Sequence, residues 1–144
     1  MICLCASGCV GSGVTEAEAS REGLAETDDG GDVVDLTEMS STMVYAEVYN
    51  IMTRPFSYLG KTIKIKGPYV QQYSEEVGKR YHYVLVEDAA ACCQQGMEFI
   101  WSGDHIYPED YPNEKAEIEI EGLFSSYEEH DRTYFYLLVD SIAT

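Results

Sequence analysis

A strict alternation of apolar and charged side chains is the feature that most constrains the fold of this chain. In residues 117–124, glutamates take every second position at first and isoleucines fill the positions between them. Residues 62–67 repeat the pattern with isoleucines and lysines. Because successive side chains of a strand point to opposite faces, both segments predict strands with one buried and one solvated face. The chain is therefore expected to be mostly β.

Three further segments have the composition of strands. Residues 81–86 are apolar or aromatic on both faces, and residues 97–101 are a short third strand. Residues 134–139 form a hairpin with the fourth strand through the polar turn 128–131. Five strands, the first of them bent at Gly67, predict a small five-stranded OB-like barrel.

A short helix is predicted in front of the strands. Four apolar residues recur at helical spacing after a serine pair that can cap the helix: Val44, Val48, Ile51 and Met52. Pro55 prevents the helix from continuing. OB folds often place a helix between the third and fourth strands, but Pro108 and Pro112 leave no room for one, so the N-terminal helix is expected to close the barrel instead. Another small β-barrel or a sandwich is the alternative.

The predicted barrel domain spans residues 40–144, and the segment before it has a different composition. Residues 10–39 are rich in acidic and small polar residues and contain the pair Gly30-Gly31. Such a segment buries too little apolar surface to fold, so it is predicted to be an acidic disordered tether. An acidic interaction tail is the alternative.

Residues 1–9 suggest a membrane anchor. Ala6-Ser7-Gly8-Cys9 resembles the lipobox of bacterial lipoproteins, in which signal peptidase cuts before a cysteine that is then lipidated. An upstream start codon would supply the rest of the leader. The resemblance implies an extracytoplasmic domain that is held at the cell membrane by a lipid anchor on Cys9. An ordinary N-terminus with small residues is the alternative.

The net charge limits the partners of the chain. Its 26 acidic and 9 basic residues give a formal charge of −17. A field of this sign repels phosphate backbones and anionic lipid headgroups, so nucleic-acid binding is not expected. Cations are the compatible small partners.

An adjacent cysteine pair, Cys92-Cys93, follows the second predicted strand. Residues 81–99 and 107–112 resemble a group of uncharacterised bacterial lipoproteins that share such a pair just after a strand. Residues 60–67 resemble OB-like domains of a membrane-protein family associated with permeases. These resemblances imply an exported OB-like domain of unknown activity, and they assign no catalytic residue.

The cysteine pair admits four interpretations, which are two buried thiols packed as small hydrophobes, a soft-metal site, a vicinal disulfide, or catalytic thiol chemistry. Two thiolates suit Zn²⁺ or Cu⁺ but do not complete a shell, so other ligands must come from four candidates: Asp88, Met97, His82 and His105. A buried structural histidine is the alternative for His82. Because adjacent strand residues point to opposite faces, the pair is expected on a loop or helical turn at the barrel rim.

Two functional hypotheses follow. The first is a tethered binding module that holds a metal ion, a small ligand or a partner protein near Cys92-Cys93. The second is a thiol redox or metal-handling accessory protein that cycles the pair. A hydrolase or transferase is not expected, because the sequence brings no nucleophile and base together.

The lipobox resemblance predicts that membrane association depends on Cys9. The protein produced in bacteria with its leader should partition into detergent and carry lipid, which mass spectrometry of the N-terminal peptide detects. Cys9→Ser should abolish both properties. A soluble cytoplasmic product with an unmodified Cys9 would contradict the prediction.

Overall fold

The computed structural model describes residues 32–144. The predicted lipobox with Cys9, and the predicted tether up to residue 31, lie outside the described residues. The elements in the described part are β1 (Val33–Asp35), α1 (Ser41–Thr53), a 3-10 turn (Pro55–Ser57), β2 (Thr62–Ser74), β3 (Lys79–Glu87), β4 (Gln94–Trp101), β5 (Glu117–Glu129) and β6 (Arg132–Ala143).

Five of these strands close into a barrel in the order β2-β3-β4-β6-β5, with β5 returning to β2. The β4–β6 pair is parallel and the other pairs of the barrel are antiparallel. A closed five-stranded barrel with one α-helix confirms the predicted small OB-like fold.

Strand β2 closes the barrel because it changes partner halfway. Residues from Thr62 to Pro68 pair with β5, and residues from Tyr69 to Ser74 pair with β3. Gly67 lies at this change, where a Cβ atom would overlap the carbonyl oxygen of Leu85. The strand therefore runs without a break through the predicted bend, and the absence of a side chain lets the two strands pass close to each other.

The predicted alternation separates the core from the surface. Ile63, Ile65, Ile118, Ile120 and Phe124 are all buried in one core. The register of β5 against β6 shifts between Ile120 and Gly122, which is the β-bulge expected where a strand curves around a barrel. The last hairpin turns on two residues only, because His130 and Asp131 both have positive φ angles of 49° and 60°.

Helix α1 contributes Val48 and Ile51 to the core and lies against β3 and β4. It begins after Ser40 and ends before Pro55, as predicted, although the Ser40 side chain makes no capping hydrogen bond. The prediction for Met52 was wrong, since 44 % of that residue is exposed. Met52 is rotated by about 100° from Ile51 around the helix, which turns it away from the core. In the described chain, no helix separates β4 from β5.

The predicted boundary at residue 40 requires a correction. Val33–Asp35 forms β1, which pairs in parallel with β2, and Leu36 is 1 % exposed. The Leu36 amide donates to the Lys64 carbonyl, which extends this pairing. The acidic composition averaged over residues 10–39 hid a short apolar segment at the end of the predicted tether. The domain therefore includes residues 32–39 as well.

No helix in the described part of the chain is long and apolar enough to cross a membrane.

The close passage at Gly67 predicts that Gly67→Ala destabilises the barrel by about 1–3 kcal/mol, the usual range for forcing extra atoms into a packed site. Gly96→Ala is the matched control, because the nearest atoms to its new Cβ would be side-chain carbons of Tyr83 and Leu85 at 3.4–3.5 Å. Urea unfolding monitored by tyrosine and tryptophan fluorescence measures both variants. Equal stability of the two variants would contradict the role assigned to Gly67.

Candidate functional site

The cysteine pair lies on the loop between β3, which ends at Glu87, and β4, which begins at Gln94. The Asp88 amide donates to the Cys93 carbonyl at 3.1 Å, and the Ala91 amide donates to the Asp88 carbonyl at 2.9 Å. Ala91 has a φ angle of 51°, so the backbone turns sharply just before the pair. The predicted position between the second and third barrel strands is confirmed.

The carboxylate of Asp88 organises this loop. Its Oδ1 atom accepts the backbone N–H of Cys92 at 2.9 Å and that of Cys93 at 3.4 Å. Its Oδ2 atom accepts the thiol of Cys92 at 3.1 Å. One side chain at the end of β3 thus fixes both the backbone and one sulfur of the pair.

The two sulfur atoms lie close together at the protein surface. Their Sγ atoms are 3.8 Å apart, and both residues are exposed free thiols. The interpretation of the pair as buried hydrophobes was therefore wrong, because the loop holds both side chains outside the core. The structure contains two thiols here and no vicinal disulfide.

The hydrogen bond between Asp88 and Cys92 shifts the pKa of both side chains. Donation from the Cys92 thiol lowers the pKa of Asp88. The same bond, followed by the contact with Cys93, raises the pKa of Cys92 to about 11. Because the thiolate is the nucleophile and the thiol is not, Cys92 is a weak nucleophile near neutral pH.

Among the predicted ligand candidates, the structure brings together Asp88, Cys92 and Cys93. Their ligand atoms all lie within 4.8 Å of one another. Two thiol groups and a carboxylate in this arrangement can hold a metal ion. Within residues 32–144 it is the one cluster of three histidine, cysteine or acidic side chains with such spacing.

The other three candidates lie elsewhere. Met97 is fully buried in the core on β4, whereas both cysteines are exposed. His105 stacks on Trp101 with ring centroids 3.7 Å apart, and its Nε2 atom contacts the Ser102 carbonyl at 3.0 Å. The prediction that these side chains complete the shell of the cysteine pair was therefore wrong.

His82 also belongs to a different part of the barrel. Its Nδ1 atom is hydrogen-bonded to the Tyr69 hydroxyl at 2.7 Å, and its ring stacks on Tyr111 at 4.1 Å. Burial, with a smaller effect of Arg80, lowers the pKa of His82 to about 4. His82 is therefore a neutral structural histidine, which the sequence offered as the alternative.

One group of polar residues was not found from the sequence. Glu98 lies in the middle of β4 and is only 8 % exposed, and the Tyr127 hydroxyl bonds to both of its carboxylate oxygens. A glutamate inside a predicted apolar strand was the available signal. Its partner lies 29 residues away along the chain, so local patterning could not identify it.

A comparison of the chain with models of protein families finds no match, and a comparison with curated proteins finds none either. The resemblance of residues 81–99 to bacterial lipoproteins therefore stays a prediction.

The Asp88 carboxylate should keep Cys92 protonated, so Asp88→Asn should make this thiol more reactive. An amide keeps a carbonyl oxygen for the backbone N–H groups and offers an N–H donor to the thiolate. Alkylation of Cys92 by iodoacetamide at pH 8 should accelerate by roughly threefold, because a pKa lower by about one raises the thiolate fraction about tenfold while the less basic thiolate is a weaker nucleophile. Peptide mass spectrometry measures the rate for each cysteine.

Glu87→Gln is the control for this measurement. Glu87 is an exposed neighbouring carboxylate that accepts from Gln94, and its replacement should leave the Cys92 rate unchanged. An unchanged rate in Asp88→Asn would show that the carboxylate does not control the thiol.

Proposed function

We propose that the protein is a binding module that captures a soft metal ion, Zn²⁺ or Cu⁺, with Cys92, Cys93 and Asp88. The separation of the two sulfurs carries this proposal. Two thiolates bound to one tetrahedral Zn²⁺ at about 2.3 Å lie about 3.8 Å from each other. The Sγ atoms of Cys92 and Cys93 are 3.8 Å apart before any metal is added. The pair therefore needs little rearrangement to bind.

The hydrogen bond between Cys92 and Asp88 marks the position that a metal ion would take. A cation replaces the proton that lies between Cys92 Sγ and Asp88 Oδ2, and these two atoms become neighbouring ligands. Deprotonated thiols and a carboxylate supply anionic charge, and the chain as a whole carries −17. Because thiols must lose their protons, binding releases protons and strengthens as the pH rises toward the Cys92 pKa of about 11.

The number of metal ligands favours a site that captures and presents a metal ion over a closed structural zinc site. Structural zinc sites are usually closed by four protein ligands, whereas sites that bind a further molecule keep one position open. Residues 32–144 supply three ligands at an exposed rim. The fourth position of a Zn²⁺ ion would remain available to water or to a ligand from another molecule.

The alternative function is a thiol redox or metal-handling accessory protein that cycles Cys92 and Cys93. Two free, exposed thiols on one loop favour it. The raised pKa of Cys92 slows exchange through this thiol, because a thiolate must attack. Metal binding also needs the thiolate, but there the bound cation replaces the proton and offsets the raised pKa. A reversible dithiol–disulfide transition at a physiological potential would favour the redox function.

The proposed module is an exported lipoprotein that Cys9 anchors to the cell membrane. The lipobox-like Ala6-Ser7-Gly8-Cys9 supports this location. A metal-binding domain outside the cytoplasm would then lie near the membrane surface.

Native mass spectrometry of the reduced protein tests the metal site. The three N-terminal cysteines are first replaced by serine, so that they cannot bind the added ion: Cys3, Cys5 and Cys9. This protein should retain one equivalent of Zn²⁺ or Cu⁺. Cys92→Ser with Cys93→Ser should lose the ion while the stability changes by less than about 1 kcal/mol, since both side chains are exposed.

His105→Gln is the matched control, because His105 was a predicted ligand and lies against Trp101. This variant should retain the ion. A metal-free parent protein, or full retention after the double serine substitution, would contradict the proposed site.

A further inference from the structure

A second polar site lies on the outside of the barrel and is lined by residues of all five barrel strands. Two adjoining cavities of about 430 and 230 Å³ share Ser74, Tyr81, Glu129 and Tyr134 in their walls. The smaller cavity is also lined by Tyr83 and Glu98. We call the set Tyr81, Tyr83, Glu98, Glu129 and Tyr134 the tyrosine–glutamate pocket. It takes no part in the proposed metal site.

Glu98 gives this pocket a buried acceptor. Its residue is 8 % exposed, and the Tyr127 hydroxyl lies 3.0 and 3.1 Å from its two carboxylate oxygens. One hydroxyl hydrogen therefore serves both oxygens. Burial raises the pKa of Glu98, as expected for a carboxylate with few donors. A cation in the pocket would add a second donor to these oxygens and offset the cost of burying the charge.

Lys79 shows that an alkylammonium group fits this environment. Its Nζ atom is 4.7 Å from the centroid of the Tyr81 ring and 4.3 Å from that of Tyr127. The same atom is 3.6 Å from Glu129 Oε1. Aromatic faces and carboxylates together form the usual environment for an organic cation. Lys79 acts as an internal ligand beside the cavity.

The charges around the pocket leave room for a second cation. Glu98 and Glu129 both line the smaller cavity, and among the described residues no basic side chain lines it. Lys79 lies against Glu129, and its charge also acts on Glu98, so one ammonium group faces two carboxylates. The larger cavity adds Glu76 but also Arg132, so its charges are more evenly matched. Two carboxylates and one ammonium group therefore leave one net negative charge beside the smaller cavity.

We propose that the tyrosine–glutamate pocket binds the ammonium group of a small aliphatic amine. The carboxylates of Glu98 and Glu129 would accept its N–H groups, and the tyrosine rings would cover its methylene chain. Glu76 in the adjoining cavity favours a diamine, whose second ammonium group can reach that carboxylate. The charge of −17 strengthens the attraction of such a ligand at a distance.

The position of the pocket also suits a ligand. In OB barrels, the face of the second and third strands and the turns beside it commonly carry the bound molecule. Here β3 and β4 supply Tyr81, Tyr83 and Glu98, and residues from the β2–β3 turn and the β5–β6 turn line the larger cavity. Carboxylates on this face select cations and oppose phosphate groups.

Isothermal titration calorimetry with cadaverine tests the proposal on the full chain. Binding is measured at about 0.1 M salt, where charges more than ~10 Å away are largely screened. Cadaverine should bind, and 1,5-pentanediol, an uncharged analogue, should not. Glu98→Gln should weaken cadaverine binding by about tenfold or more, which is equivalent to the loss of ~1.4 kcal/mol of binding free energy. Circular dichroism in the aromatic region checks that the variant is folded.

Two further variants test whether cadaverine binding depends on the pocket itself. Glu121→Gln removes one negative charge from an exposed position on β5 outside the pocket, and it should leave cadaverine affinity within about twofold, since a distant charge is screened. Lys79→Met removes the internal ammonium group and should strengthen cadaverine binding severalfold. This gain is not expected if Lys79 has a purely structural role.

Nα-acetyl-lysine methylamide, titrated in parallel, identifies the source of the amine. Tighter binding of cadaverine supports a free amine, whereas tighter binding of the lysine derivative assigns the pocket to a lysine side chain of another protein. Absence of binding to both the parent protein and Lys79→Met would overturn the proposal. Equal losses in Glu98→Gln and Glu121→Gln would also overturn it, because they would show general attraction without a site.

Discussion

The passage of Gly67 against the carbonyl of Leu85 is the contact on which the barrel depends. Strand β2 must reach β5 with its first half and β3 with its second half, and a side chain at position 67 would push these neighbours apart. Leu85 lies on β3 three residues before Asp88, so the crossing is close in the chain to the point where the cysteine loop leaves the sheet.

The barrel has three regions with different chemical properties, which are its interior, its rim and its outer face. Its interior is apolar and tightly closed, with Met97 and Phe99 among the buried residues of β4. Its rim carries two exposed thiols held by Asp88. Its outer face carries the carboxylate of Glu98 among tyrosines. Both proposed ligands are cations, which agrees with a charge of −17, and they differ in softness, so one site need not compete with the other.

The sequence predicted what local patterning controls. Period-two alternation located Ile118 and Ile120 in the core, and the geometry of a strand required Cys92 and Cys93 to leave it. Contacts between residues that are far apart in the chain could not be predicted in this way. Asp88 lies four residues before Cys92 and was among the predicted candidates, whereas the separation of His82 and His105 from the pair depends on where the barrel places them. Leu36 was missed because acidic neighbours dominate the composition around it, and Glu98 because its partner comes from the last hairpin.

The first coordination shell of the bound ion is the most direct evidence for the proposed function. X-ray absorption at the zinc K-edge, on reduced protein with Cys3, Cys5 and Cys9 replaced by serine and one equivalent of Zn²⁺ added, measures the ligand type and distance. Coordination by Cys92, Cys93 and Asp88 predicts two sulfur scatterers at about 2.3 Å together with oxygen at about 2.0–2.2 Å. A shell of oxygen and nitrogen alone would contradict the proposal that this pair of thiols captures the metal.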